Sequence, residues 1–215
     1  MPKLSIPIQL QEQCEHFLST LEEIPASRQS ILQAFIDYLH QKVIAQQNIH
    51  LIVICTHNSR RSHIAQLWLQ QAAAWFGIEN LHTYSGGTMA TAFNPRAVAA
   101  LQRVGFSIQA YSKSANPFYE VIIPGYTHSP MKCFSKKYDH PLNPQAHFAA
   151  LMVCSEADTD CPFIPGAEAR FAHPFEDPKA FDDSPMEQQM YDQRVVEIGR
   201  ECFFILSALS KKINQ

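Results

Sequence analysis

The chain has 215 residues, with 17 Lys and Arg against 20 Asp and Glu, a formal net charge of −3, and 46% hydrophobic residues. This length and composition suit one α/β domain with an appended segment and exclude an intrinsically disordered chain. The charge gives no electrostatic reason to expect nucleic acid as a partner. The sequence has no run of about 18 apolar residues and no signal-like start, so we expect a cytoplasmic protein with no membrane partner.

The N-terminal part has the spacing of amphipathic helices. Hydrophobic residues recur at steps of three and four on both sides of Pro25, and Ser27 is placed to cap the second helix. We predict an N-terminal helical extension over residues 1–46 and an α/β domain over residues 47–215. The extension either packs on that domain or offers a dimerisation or partner surface.

Elements typical of a parallel sheet follow the extension. In chain order they are a buried strand at 51–55 (LIVIC), a polar loop at 56–62, a helix at 63–77, a strand at 81–85 that ends before Gly86-Gly87, and a helix from Asn94-Pro95 to Gly105. Asn94 is placed as its cap, with proline in the first turn. This alternation indicates a parallel βαβ arrangement.

The remaining sequence is less regular. Residues 117–146 are rich in proline, and we predict an insertion there. Its residues 118–124 and 131–138 form either a hairpin or an ordered excursion. Residues 147–154 (HFAALMVC) form another predicted buried strand. The later elements are a polar loop at 155–160, a proline-rich surface stretch at 161–183 and a last helix at 184–212.

The most informative segment lies between the first strand and its helix. Cys55 ends the strand, and five residues separate it from Arg61 and Ser62 at the helix start. Ligands bind at the carboxyl ends of parallel strands, and a loop that enters a helix there offers its backbone N–H groups to an oxyanion. The predicted oxyanion-binding residues are Thr56, His57, Asn58, Ser59, Arg60 and Arg61.

Residue types in this loop suit nucleophilic chemistry. The planar fork of Arg61 matches two oxygens of a tetrahedral anion. The same positive field favours Cys55 as a thiolate nucleophile, with Ser62 as its hydrogen-bond donor. Asn58 tolerates the left-handed backbone that the loop needs.

The sequence CTHNSRRS (55–62) resembles the active-site loop of low-molecular-weight protein tyrosine phosphatases and of the arsenate reductases built on the same fold. The likeness covers about residues 50–110 and 147–210, and its other motifs are TYSGG (83–87), FNPRAVAALQRVGF (93–106) and FEDPKAF (175–181). It implies a four-stranded parallel sheet flanked by helices. We expect no bound cofactor, and no metal, since Cys154 and Cys161 are spaced too loosely for a zinc site.

The resemblance also implies a general acid at Asp177, which precedes Pro178. Nearby carboxylates leave alternatives open. They are Glu176, Asp182 and Asp183.

A second resemblance separates two functions. The stretch LMVCSEADTDCP (151–162) is similar to the corresponding part of thioredoxin-coupled arsenate reductases. That likeness implies a relay in which Cys154 attacks Cys55 after arsenate has reacted, and Cys161 then attacks Cys154. Thioredoxin would be the external reductant and partner, and a small oxyanion would be the substrate.

Two alternatives remain. A low-molecular-weight phosphatase would hydrolyse phosphate esters through Cys55 alone, although Lys179-Ala180 stands where such enzymes carry aromatic residues after Asp-Pro. A non-catalytic anion-binding regulatory module would use the N-terminal helices to recruit a partner.

Overall fold

Helices and strands alternate along much of the structure, a computed structural model that describes residues 6–160 and 163–214. The strands are β1 (Ile49–Cys55), β2 (Leu81–Gly87), β3 (Ser107–Ala110), β4 (Tyr119–Ile122), β5 (Met131–Cys133), β6 (Phe148–Met152) and β7 (Ala167–Ala172). The helices are α1 (Ile8–Ser19), α2 (Ala26–Ile44), α3 (Arg61–Trp75), α4 (Pro95–Arg103), α5 (Ser155–Asp160) and α6 (Glu187–Ile213). Short 3-10 turns lie at Leu21–Glu23 and Pro178–Phe181.

The central sheet has four parallel strands in the order β2-β1-β6-β7. Its register places Cys55 of β1 beside Gly87 of β2, and Ile54 beside Met152 of β6. The side chains of β6 and most of β1 are buried, as a near-continuous apolar strand predicts. The predicted four-stranded parallel sheet flanked by helices is confirmed. Cys55 is the last residue of the inner strand β1, so it lies at the carboxyl edge of the sheet.

Three local predictions are wrong. Residues 161–183 were expected to form only a surface stretch, but Ala167–Ala172 forms β7 at the edge of the sheet. Its half-exposed side chains do not produce the apolar run that marks a buried strand. The polar loop predicted at 155–160 is helix α5. Ser27 is not a cap, because α2 begins earlier, after Pro25.

Aromatic packing joins the N-terminal helices to the rest of the core. Phe17 of α1 lies 5.0 Å from Trp68 of α3 and 5.4 Å from Phe203 of α6, measured between ring centroids. Helix α6 packs against α1, α2, α3 and α4. The boundary between residues 46 and 47 stays a prediction. Within the described residues, no helix is both long enough and apolar enough to cross a membrane.

The segment predicted as an insertion contains a hairpin, one of the two expected arrangements. Strands β4 and β5 pair in antiparallel fashion, and β3 adds a third strand that the sequence pattern did not predict. Asn94 caps α4 as expected, by accepting a hydrogen bond from the N–H of Arg96. After β5 the chain returns to the carboxyl edge of the central sheet, where Lys136 accepts a hydrogen bond from the N–H of Gly87 (2.9 Å).

Candidate active site

The loop between β1 and α3 brings a cysteine and a serine together in a buried position. The Cys55 Sγ lies 3.1 Å from the Ser62 Oγ. Ser62 Oγ accepts a hydrogen bond from the Asn58 Nδ2 at 2.9 Å. Because that bond occupies the hydroxyl as an acceptor, the Ser62 proton is available for donation to sulfur. This arrangement directs a hydrogen-bond donor at the sulfur of the predicted nucleophile.

Backbone N–H groups of the loop are free to bind an anion. Across residues 6–160 and 163–214, no protein acceptor receives a hydrogen bond from the N–H groups of residues 56–61. Unpaired N–H groups are costly in a partly buried loop. An oxyanion at the start of α3 would pair with them and with the positive end of the helix.

The loop conformation is held by the segment after β5. Asn58 adopts a left-handed backbone with φ 44°, and its Oδ1 accepts a hydrogen bond from the Lys136 N–H (2.9 Å). The Ser135 hydroxyl donates to the carbonyl of His57 (2.8 Å). A side chain at Gly87 would place its Cβ 2.7 Å from the Asn58 nitrogen, so this close approach requires glycine.

Arg61 connects the loop to the segment after β7. Arg61 is 6% exposed, and its guanidinium donates to the Phe175 carbonyl and to the Asp177 Oδ2, both at 2.8 Å. The segment after β7 and the loop between β1 and α3 together line a cavity of about 690 Å³. The predicted residues Arg61 and Asp177 are therefore brought together beside the loop that carries Cys55.

The alternative acids are placed differently. Glu176 lines the same cavity as Asp177. Asp182 accepts hydrogen bonds from Arg60 (3.2 Å) and from the Tyr191 hydroxyl (2.7 Å), so it belongs to an ion-pair network beside α6. Asp183 is largely exposed and pairs with Arg96 of α4, at 2.6 Å.

The side chain of Arg60 serves that network rather than the anion loop. Its Nε donates to the Tyr191 hydroxyl at 2.7 Å, and it also lies 3.9 Å from Asp177. Only the backbone N–H of Arg60 is thus left for the predicted oxyanion role. The network fastens the segment that carries Asp177 to α6.

A second thiol is buried next to the loop. Cys154 follows β6 and immediately precedes α5, and its Sγ lies 3.5 Å from the Thr56 Oγ1. Burial raises the pKa of Cys154, whereas the Thr56 hydrogen bond and the charge of Arg61 act in the opposite direction. The predicted partner Cys161 lies outside the described residues.

The other described cysteines are unsuited to nucleophilic chemistry. Burial raises the pKa of Cys14 and of Cys133 to about 12, and that of Cys202 well above its usual range. No cluster of three or more His, Cys, Asp and Glu side chains among the described residues is arranged to hold a metal ion.

Sequence analysis missed several residues that shape the site. Ser135 and Lys136 carry no motif, and their contacts arise from the path of the chain after β5. Phe175 opens the motif FEDPKAF, but nothing in that motif indicates that its carbonyl orients Arg61. Tyr191 reads as an ordinary residue of the last helix.

Comparison with known proteins confirms the resemblance to low-molecular-weight phosphatases and arsenate reductases. Residues 50–120 match the family model described as low molecular weight phosphotyrosine protein phosphatase. Arsenate reductase 2 of Staphylococcus epidermidis is 27% identical over 125 residues, which cover 58% of this chain and 75% of that protein. An arsenate reductase of Staphylococcus aureus is 26% identical with the same coverage.

A crystal structure of a low molecular weight phosphotyrosine phosphatase from Vibrio cholerae is similar to this fold, with 16% identity and a TM-score of 0.49. The similarity covers 78% of this chain and 97% of that one.

Proposed function

We propose that this chain, a relative of low-molecular-weight phosphatases and arsenate reductases, reduces arsenate to arsenite with electrons from thioredoxin. The observation that carries the proposal is the buried Cys154 thiol, which contacts the residue that follows Cys55. Ester hydrolysis requires one cysteine, whereas reduction of arsenic requires two electrons from a pair of thiols.

In the first step, the Cys55 thiolate attacks arsenic and forms a sulfur–arsenic bond. Arg61 and the N–H groups of residues 56–61 bind the arsenate oxygens. Asp177 gives a proton to the departing hydroxyl group, which leaves as water. The hydrogen bond that Asp177 accepts from Arg61 supports this role, since it places the carboxyl beside the anion-binding fork.

In the second step, Cys154 attacks the Cys55 sulfur. The sulfur–arsenic bond breaks, its electron pair stays on arsenic, and As(V) becomes As(III). The two sulfurs are oxidised to a disulfide, and the Cys154 proton is taken up by the released arsenite. The Thr56 hydroxyl supports the reaction by favouring the thiolate form of Cys154.

In the third step, Cys161 attacks Cys154 and regenerates the Cys55 thiolate. The resulting Cys154–Cys161 disulfide is reduced by the dithiol of thioredoxin, which becomes oxidised in turn. Helix α5 follows Cys154 directly, and bridged cysteines need Cα atoms within about 7 Å. Because a helix advances about 1.5 Å per residue, we expect α5 to unwind when this bond forms.

The second candidate function is hydrolysis of phosphate esters. The matching family model supports it, and Cys55, Arg61 and Asp177 would suffice for a phosphoenzyme mechanism. The two positions after Asp177-Pro178 favour the reductase, because there the cavity wall carries Lys179 and Ala180 rather than aromatic side chains.

Paired assays test the proposal. Arsenate turnover is followed by NADPH oxidation with thioredoxin and thioredoxin reductase, and hydrolysis of p-nitrophenyl phosphate is measured on the same preparation. We expect thioredoxin-dependent arsenate turnover that is lost in Cys154→Ser. Phosphate ester hydrolysis without any arsenate turnover would refute the reductase and support the phosphatase.

A further inference from the structure

An arginine of the N-terminal extension contacts Phe175, a residue of the candidate active site. Arg28 lies on α2, and its guanidinium donates to both carboxylate oxygens of Glu201 on α6, at 2.7 and 2.8 Å. The guanidinium carbon also lies 4.8 Å from the centroid of the Phe175 ring. The ion pair with Glu201 fixes the guanidinium where it contacts the ring.

Phe175 transmits this contact to the anion loop. Its N–H donates to the Val153 carbonyl (3.1 Å), and its own carbonyl accepts the 2.8 Å hydrogen bond from Arg61. The ring of Phe175 thus meets an arginine of the extension, and its carbonyl meets the arginine of the loop. A displacement that moves the Phe175 backbone would move the carbonyl that accepts from Arg61, and with it the Arg61 fork.

The space behind Phe175 makes such displacement feasible. A second cavity, of about 540 Å³, is lined by Arg28, Phe175, Arg200 and Glu201. The segment of residues 174–176 is shared between this cavity and the one that Arg61 lines. The Phe175 ring is buried against the core, and the Arg28 guanidinium contacts it beside this cavity.

We propose that Arg28 is a positioning residue for oxyanion binding, acting through Phe175 on Arg61. This gives the N-terminal extension a part in the site, and it rests on the proposed function only in treating the loop as an oxyanion site. The matching family model begins at residue 50, so this support is contributed by a part of the chain outside the match.

The test measures binding rather than turnover. Inorganic phosphate is used to protect Cys55 from alkylation by iodoacetamide, and peptide mass spectrometry gives the dissociation constant. Arg28→Gln alone would leave Glu201 buried and unpaired, so the variant is Arg28→Gln/Glu201→Gln. We expect phosphate to bind about 3- to 30-fold more weakly, the range of a partly desolvated cation–π contact.

The matched control is Arg200→Gln/Glu23→Gln. This pair also joins the extension to α6, at 2.6 Å, and lines the same cavity without a contact to the Phe175 ring. We expect its phosphate affinity to stay within twofold of the wild type. Thermal unfolding of both variants shows whether either change has altered the fold.

A second variant isolates the route through the ring. In a Phe175→Leu background, Arg28→Gln/Glu201→Gln should weaken phosphate binding by less than twofold, because the ring contact is already gone. An undiminished effect there, or an equal loss in the control pair, would overturn the inference. Wild-type affinity in Arg28→Gln/Glu201→Gln would also overturn it. Absence of phosphate protection in the wild type would instead refute the oxyanion site, and this inference with it.

Discussion

Replacement of Lys136 by methionine should stabilise the protein at neutral pH. The side chain is 5% exposed in the segment after β5, and burial lowers its pKa from 10.5 to about 8. Holding this ammonium group charged inside the fold at pH 7 therefore costs about 3 kcal/mol. Methionine removes that cost and fills similar space with an apolar side chain.

Part of the gain is offset by a lost contact. The Lys136 Nζ lies 5.0 Å from the centroid of the Phe134 ring, a cation–π arrangement worth about 1 kcal/mol. A net gain of about 2 kcal/mol corresponds to an increase in Tm of roughly 4–8 °C for a chain of this size. The hydrogen bond from residue 136 to Asn58 uses the backbone N–H and is kept.

The pH dependence of the stability difference between the wild type and Lys136→Met gives a more discriminating test. The unfolded chain keeps this lysine protonated up to about pH 10.5, whereas the folded chain releases the proton near pH 8. The stability of the wild type therefore increases over that interval relative to Lys136→Met, and the advantage of the variant declines between pH 8 and 10.5.

Urea unfolding at pH 7, 8.5 and 10, followed by circular dichroism, measures both effects. The control is Lys137→Met at the exposed neighbour, which should change stability by less than about 0.5 kcal/mol. Destabilisation of Lys136→Met at pH 7, or an advantage independent of pH, would refute the reasoning.

Three further predictions concern the site. Ser62→Ala should slow alkylation of Cys55 by iodoacetamide at pH 6 by about 10-fold or more, because a hydrogen bond to a charged acceptor contributes about 1.5–3 kcal/mol. Arg61→Lys should weaken phosphate protection of Cys55 by about 10- to 100-fold, since one ammonium group replaces a planar fork. Thr56→Val should slow single-turnover formation of the Cys55–Cys154 disulfide by about 3- to 10-fold, because it removes a hydrogen bond that lowers the pKa of Cys154.

Each of these three predictions has an outcome that would contradict it. An alkylation rate for Ser62→Ala within twofold of the wild type would remove the serine from thiolate stabilisation, and Ser207→Ala on α6 serves as the buried-serine control. Wild-type phosphate affinity in Arg61→Lys would argue against a bidentate cradle. An unchanged rate of disulfide formation in Thr56→Val would leave the threonine without a part in the relay.

The central strand and its loop were predictable because their signals are local. An apolar run that ends in Cys55, a polar loop and a helix start identify the edge of a parallel sheet. Strand β7 escaped prediction because its edge position leaves side chains such as Glu168 exposed and breaks the apolar pattern.

Contacts made across long sequence separations could not be predicted in the same way. The backbone N–H of Lys136 donates a hydrogen bond to the Asn58 side chain, and any residue except proline could supply that donor. Arg28 reads as a solvated residue on a helix, and its role depends on where α6 places Glu201. Neither contact can be recognised from the residue spacing or the composition of the sequence.

Non-reducing peptide mapping after exposure to arsenate tests the sulfur relay most directly. Wild type should carry a Cys154–Cys161 disulfide, Cys161→Ser should accumulate a Cys55–Cys154 disulfide, and Cys154→Ser should form no disulfide at Cys55. Arsenate turnover should be lost in Cys154→Ser and strongly impaired in Cys161→Ser. Full arsenate turnover by either variant would contradict the account, because electrons would then reach arsenic by a route that does not use this pair of thiols.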